Sequence, residues 1–396
     1  MRIRRSVVRS IRYFTATVVA ILFVAGCGYA LWFALRPPEP PSPELSTPAV
    51  CLSALPATPV GPLFFNLGAL PFLKGDWEKW GAAYGASTQV PEELAVQFDS
   101  CTRAPQSWRV LDRKWHFGAV LLSGDPTNFR PLLEHLRSSP DWTLTQIDPT
   151  SYLFQRSPAR AWSRENLRSV LEVFAGHSIK EQHEARIQLA HRLLFIAEIP
   201  ASQILLDEVL KADPDSMMAW TEMASAHGML GQWKESTEAA ERALNIDPHY
   251  RPALIAQANA FYAMGRFDKA LLITRILYVE MPGDGQILLL HAKVAHAAHA
   301  YQEEIEVLQT MITAAQGASQ PVGLLQIYLG QAYAGLGDGG AAYEHLKIAL
   351  KDPSISDADR SFAEKALERF DSKNQFLNTV PSFPQSSLLD APAGHL

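Results

Sequence analysis

Apolar side chains recur at helical spacing through the second half of the chain, in pairs of segments joined by short turns. Pro214, Pro248 and Pro282 close three successive pairs and lie 34 residues apart. A period of this length is typical of stacked helix pairs, in which each unit buries its apolar face against the next. The pattern predicts an α-solenoid with units at about 183–216, 217–250, 251–284, 285–318 and 323–356, the last displaced by an insertion near Pro321.

Helical spacing continues on both sides of these units. Ser178 followed by Glu181 has the spacing of a capping box, which predicts the start of a helix just before the first unit. After the fifth unit, an amphipathic segment over 356–370 is suited to cover the last apolar face of the stack. We therefore place a helical repeat domain at 161–371 and expect the proline-containing tail, 372–396, to be disordered.

The segment 63–160 has a different pattern, in which short apolar or alternating runs are separated by turn residues. It predicts a small α/β domain. The expected elements, in order, are a strand over 116–123, a helix over 128–138, a strand over 142–147, a turn over 148–150 and a returning strand over 152–154.

The first 62 residues contain a long apolar run behind an arginine-rich start. Residues 13–35 carry no charge and would span about 35 Å as a helix, enough to cross a bilayer core of about 30 Å. Five arginines and no acid in residues 1–12 favour a cytoplasmic tail, so that the later domains would face the periplasm of a bacterium. Nine prolines in the linker 36–62 favour extended backbone. The sequence therefore predicts a single-pass transmembrane helix followed by a stalk.

Two other interpretations of this start stay open. Val24-Ala25-Gly26-Cys27 resembles a bacterial lipobox, and cleavage there would leave a lipidated Cys27, although the apolar run continues to Leu35. An arginine-rich, acid-free start also fits a mitochondrial presequence. The preferred interpretation is a retained span, with a lipoprotein as the alternative.

Composition narrows the classes of function. A net charge of -6 over 396 residues provides no basic field for nucleic acid. Three cysteines are too few for a disulfide scaffold. Cys51 and Cys101 would both lie outside the cytoplasm, however, where an oxidising compartment permits a disulfide between them.

The second unit shows the repeated small, aromatic and glycine positions most fully, at Trp220, Met223, Ala224, His227, Gly231, Trp233, Ala243 and Pro248. The third and fifth units share many of these positions, including a glycine at the turn between the two helices, Gly265 and Gly337. This pattern resembles the tetratricopeptide repeat (TPR), from which the first and fourth units depart. The resemblance implies a mainly α fold, an α-solenoid of TPR-like helix pairs preceded by the N-terminal transmembrane helix and the small α/β domain.

The resemblance also implies that the first helix of each unit lines a concave groove for a partner. Asn259 falls where some members clamp a terminal carboxylate, but Ile255 and Leu289 occupy the expected lysine places, so we do not expect a chaperone-tail clamp. We expect an extended peptide or a helix of a protein partner instead. The expected groove residues are Thr221, Ser225, Asn259, Tyr262, Lys293, His296, Tyr328 and Gln331.

No motif in the chain specifies a reaction. His296 and His299 are close enough on one helix to share a metal, but no carboxylate or cysteine joins them at ligand spacing within that helix. We therefore expect no catalytic residue, no cofactor and no bound metal. The middle segment contains five polar residues that we considered as catalytic candidates, and their spacing is not typical of a catalytic site. They are Asp99, Asp112, His116, Asp125 and His135.

These patterns are interpreted as a membrane-anchored TPR scaffold, not an enzyme, which mediates protein–protein interactions on the extracytoplasmic side of a membrane. The alternative is a cell-envelope enzyme or glycan-binding accessory subunit with its site in 63–160. The pattern from Leu121 through Arg156 resembles the extracytoplasmic C-terminal domains of multi-span glycosyltransferase-like membrane proteins, which implies work in the cell envelope. Self-association through the repeats is a third alternative.

Overall fold

The computed structural model describes residues 48–55, 62–66, 69, 73, 92–157, 159 and 161–373. The predicted basic tail, transmembrane helix and most of the linker and C-terminal tail lie outside these residues. Within the described ranges, no helix has both the length and the apolar composition that crossing a membrane requires. This part of the chain is mainly helical and contains one small sheet.

The sheet of the α/β domain has four strands, β1 (Leu63–Phe65), β2 (Ala119–Ser123), β3 (Trp142–Ile147) and β4 (Ser151–Arg156). Their order across the sheet is β1-β2-β4-β3. β1 runs parallel to β2, whereas β4 pairs antiparallel with both β2 and β3. Every residue of β1 and β2 is buried, which explains why these strands are apolar runs and do not alternate.

Among the described residues, four helices accompany the sheet, and they are α1 (Ala49–Ser53), α2 (Glu92–Thr102), α3 (Pro105–Trp115) and α4 (Arg130–Ser138). Phe98 of α2 stacks on Phe64 of β1 with 4.7 Å between ring centroids, so that aromatic packing joins the helix to the sheet edge. Before α4, Asp125 accepts a hydrogen bond from the backbone N–H of Thr127 at 2.9 Å and begins a short 3-10 turn, Pro126–Phe129. The predicted order of strand, helix, strand and strand is confirmed.

The disulfide considered between Cys51 and Cys101 is not formed, and both residues are buried free thiols. The backbone N–H of Cys51 donates to Asp148 at 3.0 Å, and its Sγ lies 3.7 Å from the carbonyl oxygen of Ser151, which fixes it against the β3–β4 hairpin. Cys101 lies on α2, which packs against α3 and α4 instead. The two thiols are held by different parts of the domain, so the expectation of a bridge is wrong for this structure.

Helices α5 to α16 follow the sheet domain. α5 (Asn166–Val173) precedes five helix pairs and α16 (Asp357–Lys373) follows them. The pairs are α6 (Ile179–Phe195) with α7 (Ile199–Ala212), α8 (Met217–Met229) with α9 (Trp233–Ile246), α10 (Arg251–Ala263) with α11 (Phe267–Glu280), α12 (Gly285–Ala297) with α13 (Tyr301–Gly317), and α14 (Gly323–Leu336) with α15 (Gly339–Ala349). The period and the pairing have the TPR-like layout expected from the sequence.

The local signals at the ends of these helices are also confirmed. Ser178 and Glu181 form a reciprocal capping box at the start of α6. Gly231, Gly265 and Gly337 turn the chain between paired helices with φ of 71°, 70° and 91°, a left-handed conformation that glycine adopts without steric cost.

The sheet domain and the first repeat share one continuous hydrophobic core. Arg192 of α6 is buried and donates from Nε to the carbonyl oxygen of Pro149 and from Nη2 to that of Gly124, both at 2.7 Å. In return, the Tyr152 hydroxyl of β4 donates to the Arg192 carbonyl oxygen at 2.8 Å. Because a solenoid end must cover its apolar face, we interpret the sheet domain as the N-terminal cap of the repeats.

Candidate functional site

The first helices of the pairs form the inner layer of the repeat domain. α6 contacts α8, and α8 contacts α10, in addition to the contacts within each pair. Close approach is allowed by a small residue at the same position of every first helix. These residues are all buried, and they are Ala190, Ala224, Ala258, Ala292 and Gly330.

The residue that follows this small position has a polar, hydrogen-bonding side chain in every pair. The resulting line, which we call the inner stripe, consists of His191, Ser225, Asn259, Lys293 and Gln331. Its first four members are spaced by 34 residues, and the last is displaced by the four-residue insertion before α14. Sequence analysis identified four of these residues. It missed His191, because the first unit lacks most of the family pattern.

The middle of the inner stripe combines a cation with an aromatic ring. Lys293 of α12 places its Nζ 4.8 Å from the centre of the Tyr262 ring of α10, so a cation–π contact joins two adjacent repeats. Tyr262 also packs against Phe267 at 5.5 Å, which fixes the ring in place. Asn259 lies one turn before Tyr262 on the same helix. Asn259, Tyr262 and Lys293 are all partly exposed, so this region offers an amide, a phenol and an ammonium group to a partner.

The N-terminal end of the inner stripe is ionic. His191 Nδ1 lies 3.0 Å from Oε1 of Glu222 on α8. Burial by itself would lower the pKa of the His191 imidazole. The charge and hydrogen bond of the Glu222 carboxylate outweigh this effect, so that the net result is a raised pKa. The pair therefore favours a charged imidazole at the end of the groove that is nearest the sheet domain.

The C-terminal end of the inner stripe contains an unsatisfied amide. Gln331 is only 4% exposed, and neither its Nε2 nor its Oε1 has a hydrogen-bond partner among the described residues. A buried polar group without a partner costs about 1–3 kcal/mol. The side-chain amide of Gln331 therefore has a donor and an acceptor without partners among the described residues.

Besides the buried Gln331, three of the expected groove residues are placed differently from the prediction. Thr221 is buried and its hydroxyl donates to the Met217 carbonyl oxygen of its own helix at 2.9 Å. Tyr328 is 2% exposed and belongs to the core between the fourth and fifth pairs. His296 binds the carboxylate of Glu304. These three side chains are therefore used by contacts within the repeat domain. Ser225 stays partly exposed, with its hydroxyl donating to the Thr221 carbonyl oxygen at 3.2 Å.

The candidate residues of the sheet domain have local structural contacts. Asp112 pairs with Arg156, whose guanidinium also lies 4.6 Å from the centre of the Trp142 ring. His116 ends α3 in a left-handed conformation with φ of 52°. His135 contacts Arg109 at 3.5 Å, and burial together with that cation lowers the pKa of its imidazole. These contacts connect neighbouring elements of the domain, and Asp112 also lies within electrostatic range of His116 and His135.

His291 and His296 lie on α12, whereas His299 lies in the turn after it with a left-handed φ of 59°, so the prediction that His296 and His299 share one helix is wrong. His291 is buried with its Nδ1 2.9 Å from the Thr274 hydroxyl, and His299 Nδ1 lies 2.7 Å from the Tyr301 hydroxyl. Among the described residues, no group of three or more histidine, cysteine, aspartate or glutamate side chains has the arrangement of a metal site.

Comparison with known proteins gives weak likenesses to solved TPR structures. No protein-family model matches the chain. MamA from Desulfovibrio magneticus RS-1 is 15% identical with a TM-score of 0.38, covering 43% of this chain and 93% of MamA. YrrB, described as a TPR protein with an unusual peptide-binding site, is 15% identical with a TM-score of 0.42, covering 51% of this chain and all of YrrB (100%). The TPR protein TTC0263 from Thermus thermophilus is 16% identical with a TM-score of 0.35, covering 47% of this chain and 99% of that protein. TM-scores below 0.5 do not define a shared fold, so the description as TPR-like rests on the helix pairs themselves.

Proposed function

We propose that this chain is a protein-binding scaffold that holds a segment of another protein along the inner stripe. The observation that carries this proposal is the repetition of one polar position in all five pairs, at His191, Ser225, Asn259, Lys293 and Gln331. Packing alone does not require a hydrogen-bonding side chain at this position five times. A line of donors and acceptors on successive helices suits a peptide backbone or one face of a helix.

The ends and the middle of the stripe have different roles in this proposal. At the C-terminal end the buried amide of Gln331 is closed to a partner in this structure, whereas in the middle Lys293 would pair with an acidic group of the partner. Tyr262 would provide apolar contact area beside the charge. The partner is therefore a polypeptide, and no reaction is needed for the site to work.

We further propose that the scaffold is anchored by residues 13–35 and works on the extracytoplasmic side of its membrane. The support is the sequence: an uncharged run of bilayer length after an arginine-rich start, followed by a proline-rich stalk. Protease added to spheroplasts should remove a C-terminal tag from the full chain, whereas a tag that stays protected would contradict this topology. Replacing Cys27 by serine distinguishes the lipoprotein, because unchanged gel mobility and membrane retention are expected of a retained span.

The binding role is tested by affinity capture from detergent-solubilised membranes of the native host. The test variant combines Asn259→Ala, Tyr262→Ala and Lys293→Ala, and circular dichroism checks that it remains folded. The matched control combines Glu238→Ala, Arg242→Ala and Thr310→Ala on the exposed faces of second helices. We expect a protein that is recovered with the wild type and the control and is lost with the test variant. Equal recovery with all three chains would contradict a binding role of the inner stripe.

A further inference from the structure

The fourth helix pair differs from the others at one buried position of its second helix. In each of the other pairs a small residue at this position allows the paired helices to approach closely. The small residues are Ser202, Ser236, Ala270 and Ala342, and each is 0–3% exposed. The fourth pair has Glu304 there, and its side chain is 0% exposed. A carboxylate therefore replaces a small residue at the contact between α12 and α13.

The partner of this carboxylate is a histidine on the facing helix. His296 Nδ1 lies 3.1 Å from Oε1 and 3.0 Å from Oε2 of Glu304, and the imidazole itself is 14% exposed. The residues equivalent to His296 in the other pairs have neither an imidazole nor a carboxylate, and they are Leu194, Gly228, Tyr262 and Ala334. The buried ionisable pair is thus a property of this repeat and not of the repeat pattern.

The surroundings connect the pair to the next repeat. The Tyr301 ring of α13 packs edge-on to His296 with 6.0 Å between centroids, and its hydroxyl contacts His299 in the turn between α12 and α13. The same ring lies against Gly335 of α14, where an added Cβ would come within 2.5 Å of it. The other charged groups near the pair have their own contacts: Glu303 binds Arg275 and lies 3.8 Å from Nε2 of the buried His291, and Lys293 lies over Tyr262. The imidazole and the carboxylate therefore form a close ion pair beside a ring that reaches α14.

We propose that His296 and Glu304 make the fourth helix pair a proton-sensitive joint of the repeat domain. With one shared proton the pair has no net charge, and the helices pack closely around it. Without that proton, a carboxylate remains in a site closed to water beside a neutral imidazole, which is unfavourable. Loss of the proton loosens α12 against α13, and Tyr301 transmits the change to α14.

The direction of the pH effect follows from the burial of Glu304. Burial raises the pKa of its carboxyl group, and the hydrogen bond from His296 opposes that rise only in part. A carboxyl group whose pKa is higher in the folded than in the unfolded state stabilises the fold at low pH, and this contribution is lost as the pH rises through the folded-state pKa. The loosening therefore occurs above the ordinary glutamate pKa of 4.5.

Hydrogen exchange of the full chain at pH 5.5 and pH 8, corrected for the intrinsic rates, tests this proposal. In the wild type we expect amide protection in α12 and α13 to fall at least about tenfold more than in α9 as the pH rises. Glu304→Gln and Glu304→Ala should remove that difference, and the alanine variant has the residue that the third and fifth pairs already use. Glu222→Gln is the matched control, because it removes the partner of His191 and should leave α12 and α13 responding as in the wild type.

Two results would overturn the proposal. One is equal protection of α12 and α13 at both pH values in the wild type, after correction. The other is a pH response of these helices that persists in both Glu304 variants. The outcome does not depend on which partner the inner stripe binds.

Discussion

Replacing Arg192 by methionine tests whether the sheet domain caps the repeats. Methionine keeps much of the side-chain volume and removes both donors, leaving the carbonyl oxygens of Pro149 and Gly124 without the bonds seen at 2.7 Å. Hydrogen bonds to a charged group contribute about 1.5–3 kcal/mol each, and relief of guanidinium burial offsets part of that loss. We expect a net destabilisation of about 3 kcal/mol, or a decrease in Tm of about 9 °C.

The assay is urea unfolding of the full chain in detergent, followed by circular dichroism, together with hydrogen exchange of the β3–β4 hairpin. Because Arg192 connects that hairpin to α6, exchange should increase in both elements together. Arg164→Met is the matched control, since this arginine is half exposed and makes one long ion pair, 3.4 Å, to Glu198. Such pairs contribute about 0–1 kcal/mol. A decrease in the free energy of unfolding of less than about 1 kcal/mol for Arg192→Met, or one equal to that of the control, would show that Arg192 does not hold the sheet domain to the repeats.

Two further predictions concern positions at which one repeat departs from its neighbours. Ala197 has a left-handed φ of 58° at the turn position where the next pair has Gly231. Ala197→Gly should therefore stabilise the chain by about 0.5–1 kcal/mol, and Gly231→Ala should destabilise it. Thermal unfolding of the two variants measures both effects. Leu272 on α11 is 60% exposed, and the flanking repeats have Glu238 and Glu306 at the equivalent position. Leu272→Glu should therefore change the free energy of unfolding by less than about 0.5 kcal/mol. A larger loss of stability would mean that this side chain is packed.

Local signals in the sequence were sufficient for most helices and for part of the sheet. The prolines at 34-residue spacing, the Ser178 capping box and the turn glycines act within one helix pair, so they are visible without the fold. The β3–β4 hairpin was predictable for the same reason, because Asp148 shapes its own turn by accepting from the Thr150 N–H at 2.9 Å.

Contacts between distant segments could not be predicted in this way. β1 pairs with β2 across more than 50 residues, and three strand residues give no periodic signal. Arg192 binds carbonyl oxygens, which every residue possesses, so no side-chain pattern indicates its partners. Glu304 occupies a position that the repeat pattern reserves for small residues, and only the structure shows that His296 faces it.

The exposure of the expected groove residues was predictable only in part. The family pattern identifies which helix faces inwards, and Asn259, Tyr262 and Lys293 are partly exposed on it. It does not specify the rotation of each helix closely enough to separate an exposed residue from a packed one such as Tyr328, which is 2% exposed.

Site-specific photocrosslinking in native membranes tests the central claim, binding of a partner polypeptide along the inner stripe, most directly. A photoreactive phenylalanine replaces Asn259 in one chain and Thr310, on the exposed face of α13, in a second chain. If the partner binds along the inner stripe, we expect a discrete crosslinked protein from position 259 and none from position 310. Equal crosslinking at both positions, or none at position 259 in a folded chain, would contradict it.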